Sequence, residues 1–315
     1  MKASLQRLTA LLCCLGAATV LIAQQRSRAP LKTEAVHVEM KNIVYHFTQP
    51  IAVGIPWLQG EVVPTRTSSI PVFDDANSFR FKLVYAEFRV KSDILSAVLN
   101  QYVFAAPDAP LKAISILNDG DMLKIKGKLH QKNDVPFETR GKLAPTPDGR
   151  IRLEVEKAKA GALPVKGLMD LVGLKVADLI NTRKVAGVQS DGNALIFDPE
   201  QIFPPPHIEG KVTGLRLEAD EIVLVFGVKP QKAISGERGN YMAYRGGALS
   251  FGKLTMRDAD MVLLDMNPED AFDFYLDRYK DQLIAGYSKT TSDFGLRVYM
   301  RDFNKLGSAS AEKQH

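Results

Sequence analysis

The chain predicts an α+β fold: a long curved antiparallel sheet wrapped around an apolar helix, with two further helices. Three observations carry this. Residues 121–157 alternate apolar and polar side chains through three strands parted by turn residues. Residues 164–180 read as a helix that is apolar around most of its circumference, and no stretch alternates strand with helix as a parallel βαβ sheet would.

In the first strand of that meander Leu123, Ile125, Gly127 and Leu129 share one parity, with Lys124, Lys126, Lys128 and His130 on the other. The second sets Val135, Phe137, Thr139 and Leu143 against Glu138, Arg140 and Lys142; the third sets Ile151, Leu153 and Val155 against Arg152, Glu154 and Glu156. Asn133-Asp134 and Pro147-Asp148-Gly149 supply the turns. One face is therefore apolar and must be covered, while the charged face is able to pair across strands. The lysine row is read as a solvated surface, with phosphate headgroups as its alternative ligand. The cover is the helix at 164–180, where Val165, Leu168, Met169, Val172, Val176, Leu179 and Ile180 make a wide arc that Leu171 and Leu174 extend.

The remaining elements follow in order. Residues 36–47 and 79–90 alternate as strands. Between them Pro50, Pro56, Pro64 and Pro71 predict an extended edge or loop over 48–78. Residues 92–103 predict an amphipathic helix capped by Ser92 or Asp93, with Ile94, Leu95, Val98, Leu99 and Tyr102 on its buried side. Asp191-Gly192 is a turn before a short strand at 194–197. Phe203-Pro204-Pro205-Pro206 forces an extended crossing. A hairpin over 207–217 and 221–228 changes apolar parity near Gly214, which predicts a bulge, and Ile222–Phe226 is apolar on both faces. A glycine-rich loop precedes a second hairpin at 248–264. Asn267-Pro268-Glu269-Asp270 reads as a helix start with Phe272, Leu276, Tyr279 and Leu283 as its stripe and Phe274 on the opposite side. Residues 294–300 close as a strand and 306–315 are a tail.

Composition narrows the function. Of 315 residues 45% are hydrophobic and 24% charged, which excludes wholesale disorder. A formal charge of +5 without dense basic patches gives no footprint for nucleic acid. The two cysteines, Cys13 and Cys14, both lie in the first hydrophobic stretch, so the body has no disulfide, cysteine-ligated zinc or cysteine nucleophile. Lys2 and Arg7, the uncharged run Leu8–Ala23 and the polar Gln24–Arg28 read as a signal peptide or an uncleaved signal anchor over residues 1–24, which places the chain in the envelope or periplasm. Ser250 lacks the glycines of a nucleophile elbow, the Ser310-Ala311-Glu312-Lys313 spelling stands in a polar tail, and His37, His46, His130 and His207 are dispersed. Neither catalytic nor metal-binding residues are assigned, and no cofactor is expected.

Several passages resemble the LmeA-like phospholipid-binding proteins of bacterial envelopes. They are Ser92-Asp93-Ile94-Leu95, Asp119–Gly127, Gly161-Ala162-Leu163-Pro164 with its helix, and Phe203–Ile208 leading into the 212–226 hairpin. The likeness spans about residues 85–228 and implies a tubular lipid-binding fold with an apolar channel. Residues 36–228 would then be the lipid-binding domain and 229–305 an added sheet-and-helix unit. The expected lining is Ile94, Val98, Leu99, Leu168, Leu171, Val172, Val176, Leu179 and Phe226. The expected partners are a phospholipid or other acyl-chain lipid and a membrane surface. The alternatives are a non-catalytic scaffold with a closed core, docking an envelope protein through 229–305, and a hydrolase whose site forms only in three dimensions.

Overall fold

The computed structural model of the chain describes residues 35–67, 69–130, 134–156, 159–160 and 182–308. The leader at 1–24, the apolar helix at 164–180 and the last residues of the tail lie outside the described residues. In chain order the strands are β1 (Val36–Thr48), β2 (Ile51–Pro64), β3 (Phe79–Lys91), β4 (Leu111–Asp119), β5 (Met122–His130), β6 (Asp134–Pro145) and β7 (Ile151–Val155). They continue as β8 (Lys159–Ala160), β9 (Val188–Asp191), β10 (Ala194–Phe197), β11 (His207–Glu209), β12 (Val212–Glu218), β13 (Glu221–Gly227) and β14 (Tyr241–Arg245). The last are β15 (Leu249–Phe251), β16 (Leu254–Met256), β17 (Asp260–Asp265), β18 (Phe272–Tyr275), β19 (Tyr287–Thr290) and β20 (Leu296–Met300). The helices are short: α1 (Ser92–Val98), which runs on as a π turn over Leu99–Val103, α2 (Pro199–Ile202) and α3 (Tyr279–Ile284).

Among the described residues eleven strands form a large sheet in the order β12-β13-β3-β2-β1-β14-β17-β20-β19, with β11 beside β3 and β18 beside β1. Seven form a smaller sheet, β4-β5-β6-β7-β10-β9 with β8 beside β6, and β15 pairs with β16 alone. Pairing is antiparallel except at β1–β18, β3–β11 and β17–β20. The class is α+β with antiparallel sheet dominant. Within 241–300, β14, β17, β18, β19 and β20 belong to the large sheet; β14 and β18 share the flank of β1, at Lys41 and below and at Ile43 and above respectively.

The meander forms as its alternation dictates, with Leu123, Ile125, Leu129, Ile151 and Leu153 buried and the lysines outward. The bulge expected near Gly214 lies between Val212 and Gly214. Four expectations need correction. Residues 51–64 are a long strand inside the sheet, between β1 and β3, neither an edge nor a loop. Pro56 is tolerated there because it sits where the β2–β3 register shifts between Gly54 and Trp57, and opposite Asn42, whose φ of 53° interrupts the ladder on the other side. No side chain caps α1; the Ser92 hydroxyl instead donates to Asn118 Oδ1 at 2.8 Å, and Tyr102 on the expected buried stripe is exposed. The 248–264 hairpin is only β15–β16, and β17 passes into the large sheet.

The fourth correction concerns 267–285. The helix begins only at Tyr279, and Phe272–Tyr275 is a strand parallel to β1. Phe272 and Phe274 share one parity and are both fully buried, so Phe274 faces the core. Two inward aromatics at period two outweigh the cap signal at Asn267-Pro268, because burying them is worth far more than a first helical turn.

Candidate functional site

The smaller sheet turns its apolar face toward the large one, and α1 with its π turn lies across the gap. Two adjoining hollows remain there. One, of about 50 Å³, lies between Val90, Ile222 and Leu224 of the large sheet and Leu123, Leu143 and Ile151 of the small one. The other, of about 70 Å³, continues along the small sheet to Phe104, Leu111, Ile114, Leu129 and Phe137. Leu99, Ile116, Leu153 and Phe197 line both, so the two are successive widenings of one slot.

The lining is hydrocarbon apart from Thr139. Its hydroxyl is spent on a backbone carbonyl, donating to Glu156 at 2.9 Å. The slot owes its width to two inward glycines of the meander. A Cβ on Gly127 would stand 2.9 Å from the Phe137 ring, and one on Gly141 would stand 2.6 Å from a Leu153 methyl. Both large side chains can therefore lie down on the sheet. In this conformation the slot accepts a few methylene groups; a longer chain needs Leu99 or Phe137 to change rotamer.

Asn100 fixes one wall. Its amide donates to the Ile114 carbonyl at 2.7 Å and accepts from the Ile114 N–H at 2.8 Å, which holds the irregular stretch of β4 between Lys112 and Ser115. Asn100→Ala strands both backbone groups. It is expected to cost about 1–3 kcal/mol of stability in urea titration; a cost near zero would show that water replaces the amide.

Of the side chains expected to line a channel, Leu99 lines both hollows. Val98 is buried and Ile94 packs against the same core without lining either. Phe226 is fully buried, its ring 5.2 Å from that of Phe88. Leu168, Leu171, Val172, Val176 and Leu179 lie outside the described residues. Ile116 of β4, Leu153 of β7 and Phe197 of β10, which line both hollows, are not among the side chains the sequence predicts. Their inward parity was the available signal.

Other polar constellations stand apart from the slot. His46 Nε2 lies 2.6 Å from Asp273 Oδ1, and its ring stacks on Tyr275 with centroids 3.7 Å apart. Glu39, 1% exposed, accepts from Gln59 Nε2, the Ile234 and Ser235 N–H groups and the Tyr241 hydroxyl. Burial, with the Glu39 carboxylate beside it, pushes the Tyr241 phenol well above its ordinary range. Burial likewise raises Tyr45 and Tyr244, whose hydroxyls have no partner among the described residues. None of these groups lines either apolar hollow. A separate polar hollow of about 490 Å³ borders β9, where Arg150 is held by Asp148 and Gln189. Among the described residues no three acidic, histidine or cysteine groups come together as metal ligands, and no helix is long and apolar enough to cross a membrane.

Comparison of the chain with protein-family models, with curated proteins and with solved structures finds no match in any of the three.

Proposed function

We propose that this protein binds an acyl-chain lipid, its tail in the slot between the two sheets, and acts as a non-catalytic carrier or holder of that lipid in the cell envelope. The supporting observation is the slot itself: two adjoining hollows with no free polar group, joined at Leu99, Ile116, Leu153 and Phe197. A site without donors, acceptors or charge selects for hydrocarbon, and each methylene moved from water contributes about 0.8 kcal/mol. The resemblance to LmeA-like proteins points to the same ligand class, a phospholipid.

Native mass spectrometry of gently purified protein tests this, with Ile116→Trp as the partner variant. Ile116 lines both hollows, so an indole there blocks the slot. The wild type is expected to carry phospholipid or fatty acid and the variant to carry none, with a stability change below about 1 kcal/mol because the ring fills space already present. A closed, solid core gives the opposite pattern: no lipid in either protein and a loss of about 1–3 kcal/mol from overpacking. That result would favour the scaffold reading.

A further inference from the structure

The outward face of the smaller sheet is not uniform in charge. Over its middle every cation has an acid: Lys124 lies 2.9 Å from Glu138, Arg140 2.6 Å from Asp119, Lys142 3.5 Å from Asp121, and Arg152 2.7 Å from Asp191. Pairing stops at the end where β4 begins and β5 finishes. Lys112 and Lys128 are direct partners in the β4–β5 register, and neither has a carboxylate within ion-pair distance among the described residues. Lys126 has only a share of Glu138, at 3.5 Å. Asp134, the acid nearest that end, is engaged by His130 at 2.8 Å.

Like charges placed directly opposite on neighbouring strands are destabilising, and this pair is offset only at a distance, by the field of Asp134, which His130 holds. Beside them, Ala113 at φ 51° and Gly127 leave an open depression of about 350 Å³, walled by Lys126, Lys128, Pro136, Phe137 and Glu138, the last already shared between Lys124 and Lys126. Its cations are able to meet a phosphate from outside. The opposite face of the same strand ends carries Leu111 and Leu129, which line the larger apolar hollow, and Phe137 of β6 borders both spaces. Basic rim and hydrocarbon slot are therefore separated by the thickness of one sheet.

We propose that this end of the smaller sheet docks on an anionic bilayer surface, with Lys112, Lys126 and Lys128 against lipid phosphates. The inference rests on the acyl-lipid reading for what docking achieves, which is to bring the slot to its source of lipid; the charge geometry stands without it. A bilayer is the occupant that fits a flat, outward row of cations, since lysines near an anionic leaflet each add to binding.

Flotation of the full chain with phosphatidylcholine vesicles, with and without phosphatidylglycerol, reads the docking. Binding is expected only with the anionic lipid, and it is expected to weaken as salt shortens the Debye length from ~10 Å toward ~3 Å. Lys112→Gln/Lys128→Gln is expected to weaken it roughly thirtyfold without loss of thermal stability. The control Lys253→Gln/Arg257→Gln removes the same charge from exposed positions in and just after the β15–β16 hairpin and is expected to leave binding unchanged. Equal flotation with both vesicle types, or equal losses in the two double variants, overturns the proposal. Lipid content measured on the same preparations separates the two readings. Selective docking by protein that carries no lipid supports this surface and removes the carrier function, whereas lipid-loaded protein indifferent to phosphatidylglycerol does the reverse.

Discussion

Glu39→Ala is expected to lower the unfolding free energy by about 3–5 kcal/mol in denaturant titration. The carboxylate is buried on the face of β1 away from the main core, and four donors converge on it. Two of those donors are backbone N–H groups of Ile234 and Ser235, in the segment between β13 and β14. Gln59 reaches from β2, at the position paired with Glu39 in the ladder, and also donates to the Lys232 carbonyl at 3.0 Å. Tyr241 donates from the start of β14. Removing the acceptor takes a partner from all four donors. Gln59 keeps the Lys232 carbonyl and Ile234 lies at the surface, but the Ser235 N–H and the Tyr241 hydroxyl are buried, and each buried orphan costs about 1–3 kcal/mol before relaxation. Glu39→Gln keeps the shape and one acceptor oxygen, so its expected loss is smaller, about 1–3 kcal/mol. Limited proteolysis of Glu39→Ala is expected to cut first near Lys229 and Lys232, since the loop has lost its anchor. A loss below about 1 kcal/mol would mean that water reaches the carboxylate and the donors are solvated when it goes.

Phe274→Ala is expected to cost about 3–5 kcal/mol. Placed on the outer side of a helix, as its spacing from Leu276 and Tyr279 predicts, the ring would be dispensable. In β18 it is fully buried, with ring centroids of Tyr45, Phe73 and Phe272 at 5.6, 6.0 and 5.8 Å. Truncation opens a void beneath β1 and removes edge-to-face contacts with Phe73 and Phe272, each worth about 0.5–1.5 kcal/mol beyond burial. Thermal unfolding separates the two placements: a change within about 0.5 kcal/mol fits only an exposed ring.

The meander was legible because its strands are half-buried. Alternation at period two is a direct consequence of one wet and one dry face, and Leu123–Leu129 and Ile151–Val155 display it without interruption. β2 was hidden by Pro56, because a proline at a bulge and a proline in a loop look alike until the register is known. β18 was hidden by Asn267-Pro268-Glu269-Asp270, local signals for a helix that the burial of Phe272 and Phe274 overrides. Glu39 carried no signal, since alternation assigns it to the wet face and the segment that covers it lies some two hundred residues away. Leu99 was found from its helical face. Leu153 was legible as an inward residue but not as the lining of a slot, and Ile116 and Phe197 were assigned no face. A packed interior and a binding space call for the same side chains, and what parts them here is the pair of small residues at 127 and 141, whose meaning depends on which rings fall opposite.

The flank of β1 is supplied by β14 and β18, separated from it by most of the chain; the hydrogen bond between Tyr241 and Glu39 spans 202 positions. Contact order is therefore high, and folding is slowed by the entropy of closing so large a loop. During synthesis the first long strand stays half-matched, its apolar side chains and one row of amides uncovered, until residue 275 has left the ribosome. In that interval the nascent chain depends on a holding factor or on speed of elongation to avoid pairing with a copy of itself.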